Sequence, residues 1–199
     1  MTKHLLNVGS GDRDTLIPPY YEGWAKSLLD IDPAMNPDLC CDARDLSTLP
    51  PNAFDAIYCS HNLEHYYLHD AAKVLAGFHH VLSPTGFAEI RVPDMISLFK
   101  LVVEKGLDMD DVLYQSEEGP IMVCDVIYGF GKRIAESGED FFAHKTGFSR
   151  RSLASALRTA GFEIIIFRAG RFLELAALAF KQMPTLEQQL LLRIDLQSR

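Results

Sequence analysis

Three aspartates, a serine and a histidine in the first half of the chain stand where short apolar runs end. Asp30 follows Ser27-Leu28-Leu29, Asp42 follows Leu39-Cys40-Cys41, Ser60 and His61 follow the run 54–59, and Asp94 follows 87–93. Such side chains can take hydrogen bonds from the hydroxyl and amino groups of a nucleoside. His61, Asp94 and, further on, His144 are also candidates to accept a proton from a reacting group. Ahead of them, Asn7-Val8-Gly9-Ser10-Gly11 turns a first apolar run into a glycine loop. Glycine tolerates positive φ, and without a Cβ it lets a ligand approach the backbone closely. Asp30 lies about 20 residues beyond this loop, the distance at which an acidic residue reaches a ribose diol. Asp12, Arg13 and Asp14 occupy the place of a third loop glycine, and no Gly-Lys-Ser/Thr occurs. The loop therefore lacks what fits pyrophosphate but keeps the ribose carboxylate, which suits a nucleoside without phosphates and disfavours NAD.

Strands are expected over 5–8, 25–31, 39–42, 54–60 and 87–92, each an apolar run bounded by turn residues. Pro18, Pro19 and Gly23 leave little room for a helix between the first two. Ala71, Val74, Leu75, Phe78 and Leu82 recur at helical spacing, and Ser83-Pro84-Thr85-Gly86 is read as the stop. Strands alternating with crossovers imply an α/β fold, a parallel sheet whose ligands sit at the carboxyl ends of the strands. Residues 95–149 are less regular, with helices expected over 95–105 and 121–134 and a loop over 141–147. A helix opening at Ser149 or Arg150 and closed by Gly161 leads into strands over 162–167 and 173–180, whose short link permits antiparallel pairing. A last helix is expected over 186–194.

The chain has 199 residues, 48% of them apolar and 23% charged, which favours one soluble globular domain over 1–199. No run reaches membrane-span length, no signal peptide is visible, and the four cysteines lack C-x-x-C spacing, so a reducing cytoplasm is expected and no membrane partner. Cys40 and Cys59 are expected to be buried thiols. The net charge of −8 argues against nucleic acid. Residues 131–171 run the other way, with 8 Lys/Arg against 4 Asp/Glu. That stretch reads first as a solvated face; its functional reading is a patch that helps hold an anionic substrate.

His61-Asn62-Leu63-Glu64-His65 spells H-x-x-E-H, a zinc-protease pattern that belongs inside a helix. Here it follows a strand directly. No metal is expected, and Glu64 and His65 are read as turning the chain into the next helix.

The chain resembles the class I S-adenosylmethionine-dependent methyltransferases. The likeness rests on Asn7-Val8-Gly9-Ser10-Gly11, Leu29-Asp30-Ile31, Cys41-Asp42-Ala43, the run from Phe54 through Ser60-His61-Asn62-Leu63-Glu64-His65, and Val81-Leu82-Ser83-Pro84-Thr85-Gly86. It is greatest for small members with a Ser-His-x-Leu-Glu-His segment. It implies a Rossmann-like, mostly parallel seven-stranded sheet flanked by helices, closed by a C-terminal antiparallel hairpin. It also implies methyl transfer from S-adenosylmethionine, with S-adenosylhomocysteine as product, to O or N of a small or medium-sized acceptor. The backbone of Gly9 and Gly11 would pass under the methionine part of the cofactor, with Asn7 and Ser10 also among the cofactor-binding residues. Asp30 would bind the ribose, with Ile31 beside it, and Asp42 and the Ala43 amide would meet the adenine. Ser60 and His61 would flank the transferred methyl, and residues 95–149 would cover the acceptor. Asn7 stands where an acidic residue is common, and Thr85 replaces a glycine. These departures keep a second reading open, a domain of this fold retained for binding or scaffolding; an NAD-dependent oxidoreductase is the weaker rival.

Overall fold

The computed structural model describes residues 2–9, 11, 15–116, 118–170 and 172–195. The apolar runs become strands β1 (His4–Val8), β2 (Ala25–Asp30), β3 (Leu39–Cys40) and β4 (Phe54–Ser60), followed by α1 (Leu68–Val81), β5 (Leu82–Pro93) and α2 (Met95–Lys105). The middle of the chain forms β6 (Val112–Ser116), β7 (Gly119–Met122), α3 (Val123–Tyr128) and α4 (Gly131–Ser137). It ends with α5 (Arg150–Thr159), β8 (Ile164–Ala169), β9 (Glu174–Phe180) and α6 (Leu186–Leu191).

Seven strands make one sheet in the order β3-β2-β1-β4-β5-β9-β8. β1 pairs in parallel with β2 and β4, β2 with β3, and β4 with β5. β9 runs antiparallel to both β5 and β8, so the closing hairpin lies inside the sheet. Alternation along each strand sends side chains to two faces. On one, Ile57, Ile90 and Ala177 pack under Val74 and Phe78 of α1 and Leu153 and Leu157 of α5. On the other, Leu5, Tyr58, Phe87 and Phe180 pack with Tyr21 and Leu192. The link from β1 to β2 holds only a 3-10 turn, Pro19–Tyr21, as its prolines require.

The expected helix over 121–134 is instead the end of β7 followed by α3 and α4. Gly129, at φ +96°, breaks the helical path between them. The β6–β7 hairpin was not legible in the sequence. The third strand ends at Cys40, not Asp42, because Asp42 caps the 3-10 helix Ala43–Thr48 by accepting the Arg44 N–H. The expected turn 83–86 is absorbed into β5, with a register shift against β4 between Phe54 and Ala56. Cys59 is buried as expected, whereas Cys40 is exposed at the sheet edge. Among the described residues, no helix is long and apolar enough to cross a membrane.

Candidate active site

The carboxyl ends of β2, β1, β4 and β5 lie side by side, and the residues beyond them form one rim. At the first loop the Gly9 N–H donates to Leu29 O at 2.8 Å. The Gly11 N–H donates to Asp30 Oδ2 at 3.2 Å, and the Asp32 N–H to Asp30 Oδ1 at 3.0 Å. The buried Asp30 carboxylate thus fastens the glycine loop to the end of β2. Each of its oxygens keeps a lone pair for a ribose hydroxyl. Gly9 (φ +67°) and Gly11 (φ +71°) both need the left-handed region. A Cβ on Gly9 would overlap the Asn62 amide, whereas among the described residues Gly11 has only Met35 Sδ nearby, at 3.9 Å. The first glycine serves the fold; the second meets no such overlap among those residues. Asn7 is buried in β1 beneath the loop. Ser10 lies outside the described residues.

Ile31 is exposed and Ala43 fully buried. Asp42 is already engaged. Arg44 grips its Oδ2 through Nε at 2.9 Å and Nη2 at 2.7 Å, and the Arg44 N–H reaches Oδ1 at 2.8 Å. An adenine amino group would share Asp42 with this clamp.

Ser60 ends β4 half-buried, and His61 follows at φ +50°, rare for a residue with a Cβ. Its N–H donates to Arg91 O at 2.9 Å, which ties its backbone to β5. His61 Nε2 lies 3.1 Å from Glu174 Oε2, and Nδ1 lies 3.3 Å from Glu64 Oε1. A row of alternating charge continues behind it. Arg91 joins Glu174 at 3.3 Å and Glu89 at 2.8 Å, and Glu89 also takes the hydroxyls of Tyr20 at 2.5 Å and Tyr21 at 3.0 Å. Burial works against a charged His61, but Glu174 and Glu64 outweigh it and push its pKa up to about 10. At neutral pH His61 is therefore a donor and an acid rather than a base.

Asp94 caps α2, accepting from Ile96 N at 3.1 Å, Ser97 N at 3.2 Å and Ser97 Oγ at 2.8 Å. Its hydrogen bonding is that of a cap. His144 differs from both. Its Nδ1 donates to Val126 O at 3.0 Å, and Nε2 lies 4.0 Å from Glu64 Oε1. Burial pushes its pKa down, so the neutral ring presents an acceptor nitrogen. Of the two candidate histidines, His144 has the protonation state a base needs.

The sequence placed His144 in a loop, and the fold delivers it to β4. Lys145 N and Thr146 N donate to Glu64 O at 2.8 and 3.1 Å, and His144 N donates to Tyr128 O at 2.9 Å. Between this strap and the sheet lies a cavity of about 300 Å³, bordered by His61, Tyr114, Asp125, Phe130, His144 and Phe172. Tyr114 of β6 stacks on Phe172 with ring centroids 5.4 Å apart, so the unexpected hairpin forms part of the wall. A wider hollow beside it is edged by His65, Arg133 and Phe142. Glu174 and Tyr114 were missed because nothing near them in sequence carries a motif. Glu64 and His65 had been read as turn residues, yet Glu64 is fully buried at the centre of the cluster.

A family model described as a methyltransferase domain matches residues 8–90. No curated protein matches. The fold is that of solved methyltransferases. A SAM-dependent methyltransferase from Archaeoglobus fulgidus superposes with a TM-score of 0.58 at 16% identity, over 90% of this chain and 86% of its own. One from Methanosarcina mazei gives 0.58 at 13% identity, over 90% and 92%. The 1,6-didemethyltoxoflavin-N1-methyltransferase of Burkholderia thailandensis, solved with S-adenosylhomocysteine, gives 0.52 at 18%, over 90% and 71%. The domain match and the shared fold support an enzyme that uses S-adenosylmethionine.

Proposed function

We propose that this protein transfers a methyl group from S-adenosylmethionine to an O or N atom of a small or medium-sized acceptor. The observation that carries this reading is the cavity bordered by His61, His144 and residues of the 95–149 segment, on the same carboxyl-end rim of the sheet as the loop of Gly9 and Gly11 and the Asp30 carboxylate. The sulfonium methyl is already activated, so the protein's task is alignment. Bringing acceptor and methyl into line can supply about 7–11 kcal/mol. His144, neutral and facing the cavity, would accept the acceptor's proton, and a general base adds typically about 10²–10⁴-fold in rate. The His61 donor would orient the acceptor. Tyr114, Phe130 and Phe172 suit an acceptor with an apolar or aromatic body, and Arg133 at the mouth of the outer hollow suits an anionic group on it. The free cysteines fit a cytoplasmic enzyme.

The test is calorimetry with S-adenosylmethionine, S-adenosylhomocysteine and NAD. Both sulfur ligands are expected to bind and NAD to fail. Asp30→Ala removes hydrogen bonds to a charged group, worth about 1.5–3 kcal/mol, so affinity should fall roughly 10- to 100-fold. If neither sulfur ligand binds, the reading is wrong and a scaffold role takes its place.

A further inference from the structure

We propose that Glu64, His65 and His144 bind a divalent transition-metal ion of the zinc class at the edge of the acceptor cavity. One ligand atom from each of the three lies within 4.8 Å of the other two. The argument starts from Glu64, which is 1% exposed. His61 Nδ1 stands 3.3 Å from Oε1 as an ion pair, yet neither Glu64 oxygen accepts a hydrogen bond from any described group. A buried carboxylate left in that state is costly.

The two histidines that face it are set to offer lone pairs, not protons. His65 Nδ1 lies 3.2 Å from Ala143 O, and His144 Nδ1 lies 3.0 Å from Val126 O. A carbonyl oxygen only accepts, so each Nδ1 carries a proton and each Nε2 is the ring nitrogen left for a ligand. The rings stand 5.0 Å apart at 58°, held from behind by backbone. Three acceptors converging with no donor among them repel one another, and a cation removes the conflict. A backbone carbonyl on the far nitrogen is also how metal-binding histidines are usually oriented. Zinc bonds near ~2.1 Å put tetrahedral ligands ~3.4 Å apart, so side-chain adjustments of about 1 Å close the set.

Two nitrogens and a carboxylate oxygen suit zinc, iron(II), cobalt(II) or manganese(II) better than magnesium, which prefers oxygen ligands. His144 borders the inner cavity and His65 the outer hollow. A fourth coordination position would therefore open on the space where the acceptor is proposed to lie, as in catalytic rather than structural zinc sites. There an ion would hold an acceptor oxygen or nitrogen and lower its pKa. The literal H-x-x-E-H pattern is not what binds. His61 turns to Glu174, and the distant His144 takes its place. The site stands on geometry and does not depend on methyl transfer, but it competes with the base role of His144 for the same lone pair.

The test is a titration of chelator-stripped protein with cobalt(II), followed by visible absorption, and with zinc by calorimetry, using magnesium as control. One ion per chain is expected, with an intense tetrahedral cobalt band that zinc displaces and magnesium does not. Glu64→Gln and His144→Ala should each weaken binding by at least about 100-fold and leave S-adenosylmethionine binding intact. If these variants fail to fold, X-ray absorption of zinc-loaded wild type should report two imidazoles and a carboxylate oxygen. No stoichiometric binding, binding indifferent to both variants, or a shell with sulfur or fewer than two imidazoles overturns the proposal. In the first of these cases a proton on one histidine is what balances Glu64. Metal binding without S-adenosylmethionine binding would leave the site standing and remove the methyltransferase reading.

Discussion

Gly9 and Gly11 share a loop and a sign of φ, yet they do different work. Gly9 is pinned from above by Asn62, so any side chain there must displace the Asn62 side chain; among the described residues Gly11 meets only Met35. Gly9→Ala adds that displacement to a left-handed strain of about 1–3 kcal/mol, while Gly11→Ala carries the strain alone. The melting temperature should therefore drop further for Gly9→Ala, and a scan of the two variants side by side checks it. Equal drops would mean that Asn62 moves aside freely. The same division runs through the aspartates. Asp30, Asp42 and Asp94 look alike in sequence, each ending an apolar run. In the fold Asp30 fastens a loop, Asp42 is clamped by Arg44, and Asp94 caps α2.

Among the elements, the segment from α3 to the strap before α5 decides what His144 can touch. The strap passes so close to the end of α3 that a Cβ on Gly129 would overlap the Phe142 carbonyl oxygen and crowd Ala143 and His144. Gly129 also stands at φ +96°. Gly129→Ala should cost at least about 1–3 kcal/mol and displace His144 from Glu64. Thermal melting should register the cost, and the His144 ring resonances in NMR should shift. Binding of S-adenosylmethionine, proposed to depend on the β1 and β2 ends, should be unchanged. Unshifted His144 resonances would show that the strap holds its place without Gly129. None of this was visible in the sequence, where 121–134 read as one helix and the close approach of 142–144 had no local signature.

For the whole molecule, the acid side of the stability curve carries a mark of the packing around His79. This residue lies in the last turn of α1, meets Phe162 edge-on at 5.4 Å, and has Lys181 nearby, whose Nζ donates to His79 O at 2.9 Å. Burial lowers its pKa, and the Lys181 charge adds to that. The unfolded chain therefore binds a proton more readily than the folded one. Stability from this group is complete above the unfolded value of about 6.5 and is lost as pH falls from there through the folded pKa. His79→Gln should flatten that part of the curve, read as melting temperature against pH for both proteins. Parallel curves below neutrality would place the acid sensitivity elsewhere, with His144, whose pKa is lowered in the same sense, the next candidate.

The sequence alone determined the strands of the seven-stranded sheet, their carboxyl-end polar residues and the glycine loop, because each is written in a few adjacent residues. Periodicity of two or of three to four, prolines in the first crossover, and Asp or Ser at run ends are local signals, and the parallel sheet follows from their alternation. What only the tertiary structure decided is which of those polar groups meet. Glu174 reaches His61 across 113 positions, and His144 faces Glu64 because two backbone N–H groups of the strap bond to Glu64 O. Charge and hydrogen-bond balance depend on distances of a few ångströms between remote residues, and no spacing along the chain encodes them. Hence His61, one of the three candidate bases in the sequence, is held protonated, while Glu64 and His65, read as turn residues, lie at the centre of the site.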